Sequence, residues 1–166
     1  MSFWPVPDVM KDDIYQITAR MFTNRGIRFI MLDVDNTIAP YTINEASPRL
    51  KAWVEDMKKA GLELFILSNN KGERPAIFAE ALGLRYVKKA WKPFTKVAKS
   101  VLEEKGISPA ETALIGDQIY TDTACGKWIG AFTVLVHPIE FSNIWLKLRY
   151  HLEFPFRLKY KWRFMK

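Results

Sequence analysis

Ile27-Arg28-Phe29-Ile30-Met31-Leu32-Asp33-Val34-Asp35-Asn36-Thr37 sets an apolar run directly before two aspartates. Residues 27–32 read as a strand that is apolar on both faces apart from Arg28, which is the pattern of a strand covered on both sides in a parallel sheet. In an open sheet of that kind, ligands bind beyond the carboxyl ends of the strands. This strand delivers Asp33 and Asp35 to that edge. Acids at i and i+2 point the same way while the backbone stays extended.

The flanking sequence repeats the alternation of short apolar runs and helix-period segments. Ser47-Pro48 is a helix start, with Leu50, Trp53, Val54 and Met57 as the buried stripe and Gly61 as the stop. Strands are expected at 62–67, 84–87, 112–115 and 132–136, and helices at 74–82, 95–105 and 122–129, the helices stopped by Gly83, Gly106 and Gly130. Such alternation implies right-handed crossovers and a three-layer α/β/α fold around a mostly parallel five-stranded sheet. Residues 1–138 are expected to form this domain, with 1–26 packing on it, and 139–166 a basic aromatic appendage.

Further polar residues end the other strands. Ser68-Asn69-Asn70 follows the second, and Gly116-Asp117 the fourth, with Asp122 five residues on. Lys92 precedes Pro93 before the third helix. With Asp117, three carboxylates crowd one rim, and oxygen-only crowding of that kind is relieved by a hard divalent cation, for which Mg2+ is the candidate. A carboxylate beside such an ion can attack a phosphoryl group. Lys92 and the Ser68 hydroxyl are suited to hold the equatorial oxygens, and the second acid can protonate the leaving oxygen and then activate water. Structural roles compete with each of these. Asp33 and Asp35 can be turn and cap residues, and Ser68 and Asn69 can cap the next turn. Lys88 and Lys89 compete with Lys92. Asp122 can be an N-cap, a group behind the ligands or a ligand. Cys125 lacks a base spaced to activate it and reads as a core residue, while His137 and His151 belong to no ligand cluster.

Together these residues resemble the haloacid dehalogenase (HAD) superfamily of phosphatases. Asp33-Val34-Asp35-Asn36-Thr37 matches its DxDxT motif, Ser68 its strand-end Ser/Thr, Lys92 its lysine, and Gly116-Asp117 through Asp122 its last acidic motif. The resemblance covers roughly residues 27–136. It implies Asp33 as nucleophile and Asp35 as acid/base, Ser68, Asn69 and Lys92 as substrate contacts, and Mg2+ held by Asp33, Asp117 and the backbone carbonyl of Asp35. Asp35 and Ser68 are 33 residues apart, and Ser68 and Asp117 are 49 apart, both intervals filled by core elements, so no cap domain fits. The motif set is most similar to the capless subfamily IIIA, whose members include phosphatidylglycerophosphate phosphatases.

The 166 residues are 49% hydrophobic and 26% charged, an ordinary globular composition. No apolar run reaches the ~20 residues of a spanning helix. The first eight residues lack a secretory signal pattern. One cysteine suits a reducing cytosol. Of the net charge of +7, +6 falls in residues 147–166, where seven Lys or Arg face the single acid Glu153. Phe141, Ile144, Trp145, Leu148 and Leu152 fall on one helical face that Pro155 is expected to end. Phe156, Leu158, Tyr160, Trp162 and Phe164 then alternate with Arg157, Lys159, Lys161 and Arg163, a period-two pattern expected for an extended segment with one basic face. Such an element suits an anionic membrane surface, joined by Phe3 and Trp4, and places the protein as cytoplasmic and peripheral on the inner face. Packing of the tail on the body and binding of nucleic acid are the competing readings. A soluble metabolite or phosphoprotein phosphatase is the alternative function. Oligomeric state is not readable from the sequence.

Overall fold

In the computed structural model, the backbone is described for residues 5–140 and 144–164. The expected aromatic contribution of Phe3 and Trp4 lies outside the described residues. So do Phe141 and the side chains of Ile144, Trp145, Lys159, Lys161, Trp162, Arg163 and Phe164.

The elements run β1 (Val9–Lys11), α1 (Ala19–Thr23), β2 (Phe29–Leu32), α2 (Pro48–Lys59), β3 (Glu63–Leu67), α3 (Arg74–Leu82), β4 (Arg85–Val87), α4 (Lys96–Lys105), β5 (Thr112–Gly116), a π-helical turn (Ile119–Thr123) leading into α5 (Ala124–Ile129), β6 (Phe132–Val136), α6 (Ile144–Leu152) and α7 (Phe154–Phe164). The six strands form one sheet in the order β1-β6-β5-β2-β3-β4, with every neighbouring pair parallel. From β2 the chain winds outward through β3 and β4, then returns to place β5 on the other side of β2. The strand order therefore reverses between β2 and β5, which opens a crevice at their carboxyl ends.

Each central strand supplies alternate residues to two cores. Ile30, Leu32, Leu64, Ile66, Ala113 and Ile115 pack under α1, α2 and α3. Phe29, Met31, Phe65, Leu67 and Leu114 face α4 and α5 through residues such as Ala98, Val101, Leu102, Cys125 and Ile129. The layers are therefore α/β/α. The expected stripe of α2 is buried as read, and Ser47 caps that helix by accepting the Leu50 amide at 3.1 Å.

The sheet has six strands where five were expected. The additional one, Val9-Met10-Lys11, is too short and too polar at its flanks to register as a strand. Its pairing is long-range: Asp8 donates its amide to Thr133 O at 3.0 Å, and the Asp8 carboxylate accepts from the Thr133 amide at 2.8 Å and hydroxyl at 2.9 Å. The expected extended tail is also corrected. Residues 154–164 are helical, and Pro155 sits in the first turn of α7, where its missing N–H removes no helical bond.

Asp8→Ala is expected to cost about 2 kcal/mol, the scale for hydrogen bonds to a charged group, and to loosen β1. A urea melt checks this, with activity per folded molecule unchanged because the change lies outside the crevice.

Candidate active site

The crevice gathers the strand-end residues. Asp33 leaves β2, with its backbone amide on Ile115 O at 3.0 Å. The next loop turns sharply through Asn36, at φ 62°, a left-handed geometry that asparagine tolerates. That turn sends the Thr37 hydroxyl back to Asp33 Oδ2 at 3.2 Å. The Asn36 side chain holds the chain beyond β6, donating to Glu140 O at 2.8 Å and accepting the Glu140 amide at 3.1 Å.

Lys92 enters from the loop after β4 and is 5% exposed. Its ammonium donates to Asp33 Oδ1 and to Leu67 O, each at 2.7 Å, and forms an ion pair with Asp122 Oδ1 at 2.6 Å. Lys88 instead pairs with Glu73 at 2.6 Å, and Lys89 is exposed, so Lys92 is the one of the three that meets the buried carboxylates. Asn69 clasps the Lys92 backbone, accepting its amide at 2.7 Å and donating to its carbonyl at 2.8 Å. The side chain expected to touch substrate thus holds the lysine loop. Ser68 is fully buried, and its Oγ accepts the Asn70 amide at 3.1 Å.

Asp33, Asp117 and Asp122 are all buried, and each offers a carboxylate oxygen within 4.8 Å of the others. Asp122 stands on the π-helical turn, and its Oδ2 accepts the Gln118 amide at 3.2 Å. Gly116 is required here, because a Cβ at that position would overlap the Asp122 carboxylate. The Asp35 side chain does not join this cluster. Arg74 Nε donates to its Oδ1 at 2.6 Å and Asn70 to its Oδ2 at 2.9 Å. The rest of the buried Arg74 guanidinium binds Pro40 O at 2.6 Å and Asn44 Oδ1 at 2.7 Å, fastening the loop after the DxDxT motif. Arg74 carried no sequence signal beyond a cation at a helix start.

Three carboxylates against one ammonium leave two negative charges in a buried volume. The Asp33 carboxyl responds by rising to about 7: burial is the largest cause, and Asp122 and Asp35 add to it while Lys92 opposes it. Burial disfavours the Lys92 ammonium, yet Asp122 and Asp33 raise its pKa above the usual lysine value. A hard divalent cation fits this oxygen-only donor set and would relieve the same charge. Cys125 is no nucleophile here, since burial pushes its thiol up to about 12.

Residues 4–140 match the family described as mitochondrial PGP phosphatase, and the chain belongs to that family. It is a HAD phosphatase of the PGP-phosphatase branch. It is 34% identical over 138 residues to YqeG of Bacillus subtilis, described as a probable phosphatase, covering 83% of this chain and 80% of the relative. It is 28% identical over 146 residues to phosphatidylglycerophosphate phosphatase 1, chloroplastic/mitochondrial, of Arabidopsis thaliana, covering 81% of this chain but only 41% of that protein. The fold also resembles the cobalt-bound form of deoxy-D-mannose-octulosonate 8-phosphate phosphatase from Haemophilus influenzae, with a TM-score of 0.53 at 16% identity over 75% of each chain.

Two outcomes follow from the cluster. In metal-free protein, the folded state holds the Asp33 proton more tightly than the unfolded chain, whose carboxyl titrates near the usual 3.8. Stability from this group is therefore full below that value and is lost as pH rises toward about 7. Chemical melts across that window in chelator check the sign, with Asp33→Asn flattening the slope. Gly116→Ala is expected to displace Asp122 and lower turnover about 100-fold, the scale of an ångström-level misplacement, with the circular-dichroism spectrum retained.

Proposed function

We propose that this protein hydrolyses the phosphomonoester of phosphatidylglycerophosphate at an anionic membrane surface, through an aspartyl-phosphate on Asp33 and with Mg2+ as cofactor. The observation that carries the chemistry is Asp33 itself, a buried carboxylate whose Oδ1 lies 2.7 Å from the Lys92 ammonium and whose neighbours are two more carboxylates.

An Asp33 oxygen attacks phosphorus as the bond to the leaving alcohol breaks, and Asp35 gives that alkoxide its proton. Water then attacks the acyl phosphate and gives a proton to Asp35, releasing inorganic phosphate and restoring both acids. Arg74 and Asn70 fix the Asp35 carboxyl during both transfers. Lys92 faces the oxygens of a group carried on Asp33, and Ser68 supplies a hydroxyl beside it. Asn69 keeps Lys92 in place. Asp33, Asp117 and Asp122 offer carboxylate oxygens to Mg2+, with the Asp35 backbone carbonyl added by resemblance; when bound, the ion supplies charge neutralisation at the phosphoryl group.

The family and the plant relative support the lipid substrate. The rim supports the membrane. Phe94, 71% exposed, and Trp91 flank Lys92, Tyr120 stands on the π-helical turn after β5, and Leu152 and Phe154 are exposed on α6 and α7. No helix among the described residues is long and apolar enough to cross a membrane. Without a cap domain, the crevice can approach a headgroup directly. Beside it, α6, α7 and the ends of β1 and β6 enclose a groove of about 440 Å³, lined among others by Met10, His137, Tyr150, Phe154 and Leu158.

The deciding assay compares phosphatidylglycerophosphate in anionic vesicles with p-nitrophenyl phosphate, with Mg2+ and with chelator. Mg2+ is expected to be required for both, and the lipid to be preferred. Equal turnover of both, with no vesicle binding, would leave a phosphatase for soluble esters. Asp33→Asn should lose about 10⁴-fold or more in kcat on either substrate, the scale of a missing nucleophile, while melting no lower than the wild type in chelator. Replacing Phe94 and Phe154 by Ser should weaken vesicle binding about tenfold or more, because each buried ring is worth about 1.5–3 kcal/mol. Cosedimentation measures that loss, and the lipid rate should fall further than the soluble-ester rate.

A further inference from the structure

The family match ends at residue 140, and α6 and α7 lie beyond it. From α7 a buried ion pair reaches back to the loop that carries Asp117. Arg157 Nη2 donates to Glu153 Oε2 at 2.9 Å, one helical turn earlier, and to the Asp117 carbonyl at 3.2 Å. Glu153 Oε1 accepts the Ile119 amide at 2.9 Å. Both side chains are buried, Glu153 at 1% and Arg157 at 6% exposure. The Arg157 guanidinium also stacks 4.4 Å from the centroid of Tyr150 on α6.

The pair thus grips the Asp117–Ile119 segment at the carbonyl of its first residue and the amide of its last. That segment is the hinge of the acidic motif, with Asp117 at one end and the turn bearing Asp122 beginning at the other. Both ends of the segment are buried, with Asp117 1% and Ile119 0% exposed, so these backbone groups have little access to solvent, and an unpaired buried amide or carbonyl is costly. A charged acceptor and a charged donor on one rigid turn fix them in one geometry.

We infer that Glu153 and Arg157 are positioning residues for the phosphatase reaction: acting through the backbone of Asp117–Ile119, they set where the Asp117 and Asp122 carboxylates stand and thereby the strength of divalent-cation binding. This inference rests on the cation site proposed above. The inference also gives α7 a role distinct from membrane contact, since Arg157 is withdrawn from the surface that the alternating basic pattern assigned it to.

The test measures Mg2+ binding calorimetrically, and the Mg2+ concentration giving half-maximal p-nitrophenyl phosphate turnover, in Arg157→Ala, Arg157→Lys, Glu153→Gln and Phe156→Ala. Phe156 meets the Tyr120 ring edge-on at 5.4 Å, so its loss loosens the same helix without removing the ion pair. Arg157→Ala is expected to weaken Mg2+ binding tenfold or more, with KM for the ester within twofold at saturating Mg2+ and faster hydrogen exchange at the Ile119 amide. Arg157→Lys keeps the charge but not the planar guanidinium stacked on Tyr150, and should fall between Arg157→Ala and wild type. Glu153→Gln keeps an acceptor for Ile119 and should cost only a few-fold. Phe156→Ala should stay within twofold of wild type in Mg2+ affinity. If Arg157→Ala does not fold, Arg157→Lys and Glu153→Gln decide. Mg2+ affinity within twofold of wild type in the folded ion-pair variants overturns the inference, as does an equal weakening in Phe156→Ala. A wild type that binds no Mg2+ would instead overturn the cation site itself.

Discussion

Three carboxylates and one ammonium share a buried volume at the carboxyl ends of β2 and β5, and most of the surrounding architecture serves to keep them there. Left alone, Asp33, Asp117 and Asp122 would repel one another; burial above all, with Asp122 and Asp35 adding to it, raises the Asp33 carboxyl to about 7. Lys92 relieves part of that repulsion with a hydrogen bond to Asp33 and an ion pair to Asp122. The remaining excess of negative charge is what makes the place suited to a cation and to a phosphoryl group that arrives with one. Such unrelieved crowding lowers stability, and it persists because packed, hydrogen-bonded segments hold each member from behind.

Those restraints come from different parts of the chain. Asn69 holds the Lys92 backbone at both its amide and its carbonyl. Arg74 draws the Asp35 carboxylate away from the cluster and ties it to the loop after the motif, which separates the acid expected to move protons from the acids expected to meet metal. Gly116 lets the π-helical turn bring Asp122 against the strand end, in space a side chain would occupy. Each restraint is directed at backbone or at a charged atom, so the site depends on a few specific bonds more than on the volume of the core.

Much of this was legible in the sequence because it is local. An apolar run before Asp33, glycines at the ends of α3, α4 and α5, and the stripe Leu50, Trp53, Val54 and Met57 all carry their meaning within a few residues. Asp117 was placed at the site by its position at a strand end, whereas Lys92, before Pro93 and the next helix, was singled out by its residue type and by the family resemblance. What escaped were partnerships across long separations: β1 with β6, Arg74 with Asp35 and Asn44, Asn36 with Glu140, Arg157 with Asp117. Nothing in the local spelling of Arg74 or Arg157 distinguishes a buried fork from a solvated surface cation.

The C-terminal segment shows how a strong pattern misleads. Strict alternation from Phe156 to Phe164 fits a strand, but a strand needs a neighbouring edge, whereas a helix satisfies its backbone bonds within itself. On α7 the alternating residues cannot all share one face, and the structure distributes them accordingly: Arg157 is buried and Leu158 exposed, the reverse of the sorting an extended amphipathic segment would impose. The informative spacing is the i, i+4 relation of Glu153 and Arg157, which exists only on a helix. The single acid among seven basic residues is therefore the residue that allows one of them to be buried, and the buried pair meets the backbone of the acidic motif. An appendage read as a separate basic element is, at that point, continuous with the site.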